Sequence, residues 1–91
     1  MDPVIERAAT IVNQEGLHAR PAARIVRLAS GFTSEIELAK DGLEVNGKSI
    51  MGVMMLAAEF GSSITIRARG PDAEEAVAAL AELVASGFGE P

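Results

Sequence analysis

Ser34-Glu35-Ile36-Glu37-Leu38-Ala39-Lys40-Asp41-Gly42-Leu43-Glu44-Val45-Asn46-Gly47 decides the fold class. Glu35 and Glu37 alternate with Ile36 and Leu38, so polar and apolar side chains fall on opposite faces of one strand. Asp41-Gly42 is a hairpin turn signal, because both residue types accept the positive φ that such a turn needs. Leu43-Glu44-Val45 continues the alternation as a short return strand, and Asn46-Gly47 marks a further turn. A half-buried strand with a tight antiparallel return predicts a sheet that is wet on one face and covered on the other.

The flanking segments supply the cover. Upstream, Val4 to Val12 is rich in β-branched residues and reads as a strand. Asn13 to Gly16 is a polar loop. Pro21 lacks an N–H and is tolerated only in the first turn of a helix, which places the helix start near His18 or Ala19. Ala22, Ile25, Val26 and Ala29 give that helix its apolar face, and Gly31 is its stop. Downstream, Ser49 is a candidate N-cap for a short helix over Ile50 to Ala58. Ser63 to Arg69 alternates again, with Ile64, Ile66 and Ala68 against Thr65, Arg67 and Arg69. Asp72 with Glu75 resembles a capping box for a last helix over Ala73 to Ser86, whose stripe is Ala76, Val77, Leu80, Leu83 and Val84. The order β-α-β-β-α-β-α predicts a two-layer α+β sandwich in a single domain, residues 1–91.

Composition removes several function classes. The 91 residues carry 8 Lys and Arg against 13 Asp and Glu, a net charge of −5, with no Trp or Tyr. That balance excludes general nucleic-acid binding, which needs a basic footprint and stacking platforms. Without cysteine there is no disulfide, thiol nucleophile or thiolate zinc site, and one histidine cannot build a multi-histidine metal centre. No metal or cofactor is therefore expected. The longest apolar run, Ile50 to Ala58, is too short to span a bilayer, and the N-terminal residues do not read as a signal peptide, so a cytoplasmic protein is expected.

The chemistry concentrates in Gly16-Leu17-His18-Ala19-Arg20-Pro21-Ala22. The only histidine stands at a helix mouth, where unpaired backbone N–H groups carry roughly half a positive charge. That field disfavours the imidazolium, leaving a neutral nucleophilic ring, and welcomes any anion placed on it. Arg20 opposes the helix dipole at a cost of roughly 0.3–1 kcal/mol, a local rule of the kind broken at functional sites. Its guanidinium matches phosphate oxygens in a forked geometry. From spacing alone, a helix-flanking histidine and a solvated arginine are an equal reading.

The same segment resembles the active-site signature of the HPr phosphocarriers of the bacterial phosphoenolpyruvate-dependent phosphotransferase system. Asn46-Gly47-Lys48-Ser49-Ile50-Met51-Gly52-Val53-Met54-Met55-Leu56 resembles the second signature of that family. The element order also fits, so the resemblance covers nearly the whole chain. It implies an open-faced sandwich, with a four-stranded antiparallel sheet covered on one face by three helices. It implies that His18 takes a phosphoryl group at Nδ1 from phosphorylated enzyme I and hands it to a IIA protein or domain, with Arg20 steadying the phosphate. Glu15 departs from the family pattern, where a small polar residue is common; pointed inward, its charge would repel phosphate.

Arg20, Arg24 and Arg27 share one helix face, and Gly16 to Ser34 contains no acid, so a basic patch is expected to steer acidic partners. Leu17, Lys48, Ile50, Met51 and Met54 complete the expected docking surface, the last three by resemblance. The serine matching Ser49 is phosphorylated in many relatives by an ATP-dependent HPr kinase, which makes that kinase a candidate partner; capping is the alternative role. A monomer is expected. Three further readings stand beside the carrier: a nitrogen-related (NPr-type) regulatory carrier, suggested by Gly70-Pro71 and Ser86 to Glu90; an interaction module acting through the Ser49 surface, against which His18 speaks; and a hydrolase.

Overall fold

The computed structural model describes residues 2–91. The elements are β1 (Val4–Thr10), α1 (Ala19–Ser30), β2 (Glu35–Lys40), β3 (Leu43–Asn46), α2 (Ile50–Met55), β4 (Ser63–Arg69), α3 (Ala73–Ala85) and a 3-10 turn at Gly87–Gly89. The four strands form one antiparallel sheet in the order β1-β4-β2-β3. This is the expected α+β sandwich.

Register follows from the alternation. Ile66 lies opposite Leu38 and Ala68 opposite Ile36, so the apolar residues of β2 and β4 face one side. They share one core with Ala22 and Ile25 of α1, Val53 of α2, and Ala76, Val77, Leu80 and Val84 of α3. The opposite face carries Glu6, Arg67 and Glu37 side by side in the register. Arg67 bonds Glu6 at 2.7 Å, Glu37 at 3.0 Å and Glu44 at 2.8 Å. These exposed pairs order the wet face more than they stabilise it. No helix among the described residues is long and apolar enough to cross a membrane.

The structure moves several boundaries. β1 ends at Thr10, not Val12; Ile11 still exchanges backbone hydrogen bonds with Gly61 and Ser62, after which the chain turns into the Asn13–Gly16 loop. α2 ends at Met55, not Ala58, because Ala57 adopts a positive φ of 49° and leaves the helical path. Ala58 beyond it is in the core, with its carbonyl accepting the Leu17 N–H at 2.9 Å.

The capping-box reading of Asp72 is also corrected. Asp72 occupies the N-cap position of α3, but its carboxylate makes no cap bond. It accepts instead from the Thr33 and Ser34 backbone N–H groups, each at 2.9 Å, and from the Ser34 hydroxyl. The cause is the close passage of two loops. Gly70, at φ 145°, lies so near Ser34 that a Cβ there would meet the Ser34 Cα at 2.7 Å. The donors, Ser34 Oγ–H foremost and then the Thr33 N–H, hold the Asp72 carboxyl below its ordinary range. α3 is not the last ordered element. The 3-10 turn after it puts Phe88 at a positive φ of 59° with its side chain 2% exposed, in the core.

Two outcomes follow. Phe88→Ala should cost about 3–5 kcal/mol, as loss of a buried aromatic does, measured from the shift of the denaturant midpoint. Asp72 has a lowered pKa in the folded state, so its contribution is complete above the ordinary carboxylate range and is lost as pH falls through the folded value. Thermal melts between pH 7 and pH 2 should therefore show a shallower acid decline for Asp72→Asn than for the natural chain. Parallel declines would remove the assignment.

Candidate functional site

His18 is the N-cap of α1 in extended conformation, φ −75° and ψ −173°, and its ring makes no cap bond to the helix. No acid lies in the first turn. The first helical N–H groups, of Ala19 and Arg20, have no carbonyl one turn before them, and Pro21 has no N–H to offer. An uncapped, positively polarised helix end thus stands beside the ring, where an anion is favoured.

Gly16 makes this approach possible. Its φ is 68°, and a Cβ would collide with the Ala58 carbonyl oxygen. Only glycine both turns this way and lets the loop lie against Ala58. The turn is closed by Gly16 N–H on the Asn13 carbonyl at 3.2 Å and by Leu17 N–H on Ala58.

The ring has a carboxylate neighbour that the sequence left unassigned. Nε2 of His18 lies 3.0 Å from Oε1 of Glu90, with side-chain exposures of 35% and 14%. A carboxylate only accepts, so Nε2 is the donating nitrogen of this pair. Nδ1 has no hydrogen-bond partner among the described residues. The Nε2–H donor, and after it the Asn13 amide, hold the Glu90 carboxyl below its ordinary range, and the nearby Arg20 charge acts in the same sense. Glu90 therefore stays ionised at neutral pH. Glu15, whose charge was the concern, is exposed and makes no hydrogen bond or ion pair among the described residues.

The C-terminal segment is tied down around this contact. Arg24 donates to the Phe88 carbonyl, and the Gln14 N–H donates to the Pro91 carbonyl at 2.9 Å. Arg24 is thus occupied by the segment, while Arg20 and Arg27 are exposed and unpaired among the described residues. Leu17 requires correction: its side chain is 5% exposed and belongs to the core, not to a docking surface. Lys48 is half-buried, with its ammonium bound to the Phe32 carbonyl at 2.8 Å, which fastens the end of α1 to the α2 entry.

Ser49 caps α2 as expected, its Oγ accepting the Gly52 N–H at 3.2 Å. Val53 is the buried side of this helix. Ile50, Met51 and Met54 are exposed, and Met55 and Phe60, outside the expected set, are exposed as well. The period of the helix announces one buried and one free side, and Met55, about 200° round the helix from Val53, lies on the free one. α1 and α2 pack on each other, so their exposed faces form neighbouring surfaces.

Comparison with known proteins places the chain in a family. Residues 5–86 match the family model described as the PTS HPr component phosphorylation site. A phosphocarrier protein HPr from Cupriavidus necator is 48% identical over 87 residues, covering 96% of this chain and 98% of its own. The HPr-C-His crystal structure from Thermoanaerobacter tengcongensis superposes with a TM-score of 0.91 at 48% identity, over 96% of this chain and 98% of that one. Crh from Bacillus subtilis, described as a swapped-domain dimer, is 49% identical with a TM-score of 0.75, over 81% and 85% of the two chains. With both signatures in place and the match running nearly end to end, the chain belongs to the HPr family of phosphocarrier proteins of the phosphotransferase system.

Proposed function

We propose that this phosphocarrier accepts its phosphoryl group on Nδ1 of His18 from phosphorylated enzyme I and passes it to a IIA protein or domain. It acts as a phosphorylated co-substrate and not as a turnover enzyme. The observation that carries this reading is the division of the ring: Glu90 occupies Nε2, and Nδ1 is unpartnered at an uncapped helix N-terminus.

The chemistry balances without a proton acceptor. The Nδ1 lone pair forms a bond to phosphorus while the donor's phosphorus–nitrogen bond breaks and returns its pair to the donor ring. The new anion lies beside the Ala19 and Arg20 amides, within the field of the helix end. Arg20 adds a forked, permanently charged donor on an unencumbered side chain. Transfer of this kind depends on positioning and electrostatics, and the docked partner completes the site.

Arg20 and Arg27, with the apolar residues Ile50, Met51 and Met54, form the docking surface of the proposal. The basic face steers acidic partners and the methionines adapt to more than one. The NPr-type alternative uses the same chemistry for a regulatory output. The interaction-module alternative makes no use of the prepared ring. Ser49 is the proposed target of an HPr kinase: a phosphate there suits the start of α2, yet places negative charge on the surface meant for an acidic partner.

Intact mass after incubation with enzyme I and phosphoenolpyruvate should show one added phosphate, lost on acid treatment, and His18→Ala should show none while keeping its fold. Phosphate retained by that variant would end the assignment. Ser49→Ala should lower stability by about 1 kcal/mol through the lost cap and leave acceptance intact, whereas Ser49→Asp should weaken enzyme I binding in calorimetry. Equal affinity for Ser49→Asp and the natural chain would count against a phosphorylation switch.

A further inference from the structure

Asn13 is a polar residue for which phosphoryl transfer as described has no use. It is fully buried, five positions before His18, and its Oδ1 has no partner among the described residues. A buried orphan acceptor is costly, and an apolar side chain at this position would avoid that cost. What the residue supplies is its NH2 group. Nδ2 donates to the Gly16 carbonyl at 2.8 Å and to Oε1 of Glu90 at 3.2 Å. That Oε1 is the same atom that faces His18 Nε2 at 3.0 Å. One carboxylate oxygen thus receives a buried amide and the imidazole together.

We infer that Asn13 is a positioning residue for phosphoryl acceptance: its buried amide fixes the Glu90 carboxylate, which holds the proton on His18 Nε2 and leaves Nδ1 as the nucleophile. The inference rests on the carrier reading above and concerns the same site.

The division of labour is mechanical as well as electrostatic. A glutamate side chain has three torsions to fix, and covering it, as here at 14% exposure, does not by itself choose where its oxygens point. Arg24 and Gln14 fix the backbone on either side of Glu90, through Phe88 and Pro91. Only Asn13 and His18 fix the carboxylate itself, and Asn13 is the rigid one of the two, because it is enclosed. When Nδ1 gains the phosphoryl group, the Nε2 proton stays and the ring becomes cationic. The carboxylate already stands against that N–H. A carboxylate that sets the tautomer of a histidine and stabilises its cation is a known catalytic device; here a buried asparagine adds a third member.

The test uses the full chain labelled with nitrogen-15, natural and as Asn13→Ala, Glu90→Ala and the double variant. Ring nitrogen shifts at a pH where His18 is neutral give the tautomer ratio without enzyme I. Glu90→Ala alters a half-buried position at the chain's edge, so it keeps the inference testable if Asn13→Ala disturbs the fold. The natural ring should carry its proton on Nε2, and both single variants should admit the Nδ1-protonated form. Each should lose roughly tenfold in the saturating rate of phosphoryl acceptance, the lower end for removal of an orienting partner, with unchanged half-saturation by enzyme I. The double variant should lose no more than the worse single one, because the two residues act in series. An unchanged tautomer ratio in both single variants, or losses that multiply, would overturn the inference. A natural chain that takes no phosphate would overturn the carrier reading, and the tautomer ratio would still decide whether Asn13 and Glu90 orient the ring.

Discussion

Strand β4 is paired on both sides, and its register positions everything else. Ile64, Ile66 and Ala68 point into the core because Arg7, Ile5, Leu38 and Ile36 lie opposite in fixed phase. A slip of one residue would turn those three side chains to water and bring Thr65 and Arg67 inside. Burial of the isoleucines alone, at about 25 cal/mol per Å2 of apolar surface removed from water, outweighs anything the exposed Arg67 network returns. The wet face is therefore a consequence of the register and not its cause.

The same register reaches His18 through backbone. Where β4 begins, Gly61 and Ser62 exchange hydrogen bonds with Ile11. That fixes the end of β1, and with it the Asn13–Gly16 loop. Ala58, buried just before, receives Leu17, and Gly16 lies flat against it. The start of α1 is thus set by a chain of contacts beginning at the sheet. His18 is itself the N-cap of α1, so the same contacts fix where its ring stands relative to the helix end.

What could be read from the sequence was what depends on neighbours in sequence. The Asp41-Gly42 hairpin, the Ser49 cap and the placement of His18 before Pro21 each follow from conformational rules acting over a few residues, and each appears where expected. The functions of Asp72, Lys48, Asn13 and Glu90 do not follow from such rules. Asp72 has the spacing of a capping box, but packing of Gly70 on Ser34 offers its carboxylate better donors. Glu90 meets His18 across 72 positions of sequence, and no periodicity encodes that meeting. The nearest available sign was Phe88, an apolar residue stranded between two glycines after a helix stop; a ring that must be buried brings its following residues back to the molecule.

That return also changes the charge of the site. Three arginines on one face of α1 suggest a uniform basic patch, yet Arg24 is spent on the Phe88 carbonyl, and Glu90 brings a carboxylate to the ring. The positive field that remains comes from Arg20, Arg27 and the open helix end, and the Arg20 charge also acts on the Glu90 carboxylate. The negative charge of Glu90 stands at Nε2, across the ring from Nδ1. A carrier must hold its phosphate firmly enough to survive between partners and loosely enough to give it up. In the carrier proposed above, a phosphate on Nδ1 at the helix end and a carboxylate at Nε2 separate those two requirements. There the helix end would act on the phosphoryl oxygens, while the carboxylate would act on the ring charge that persists only as long as the phosphorus–nitrogen bond does.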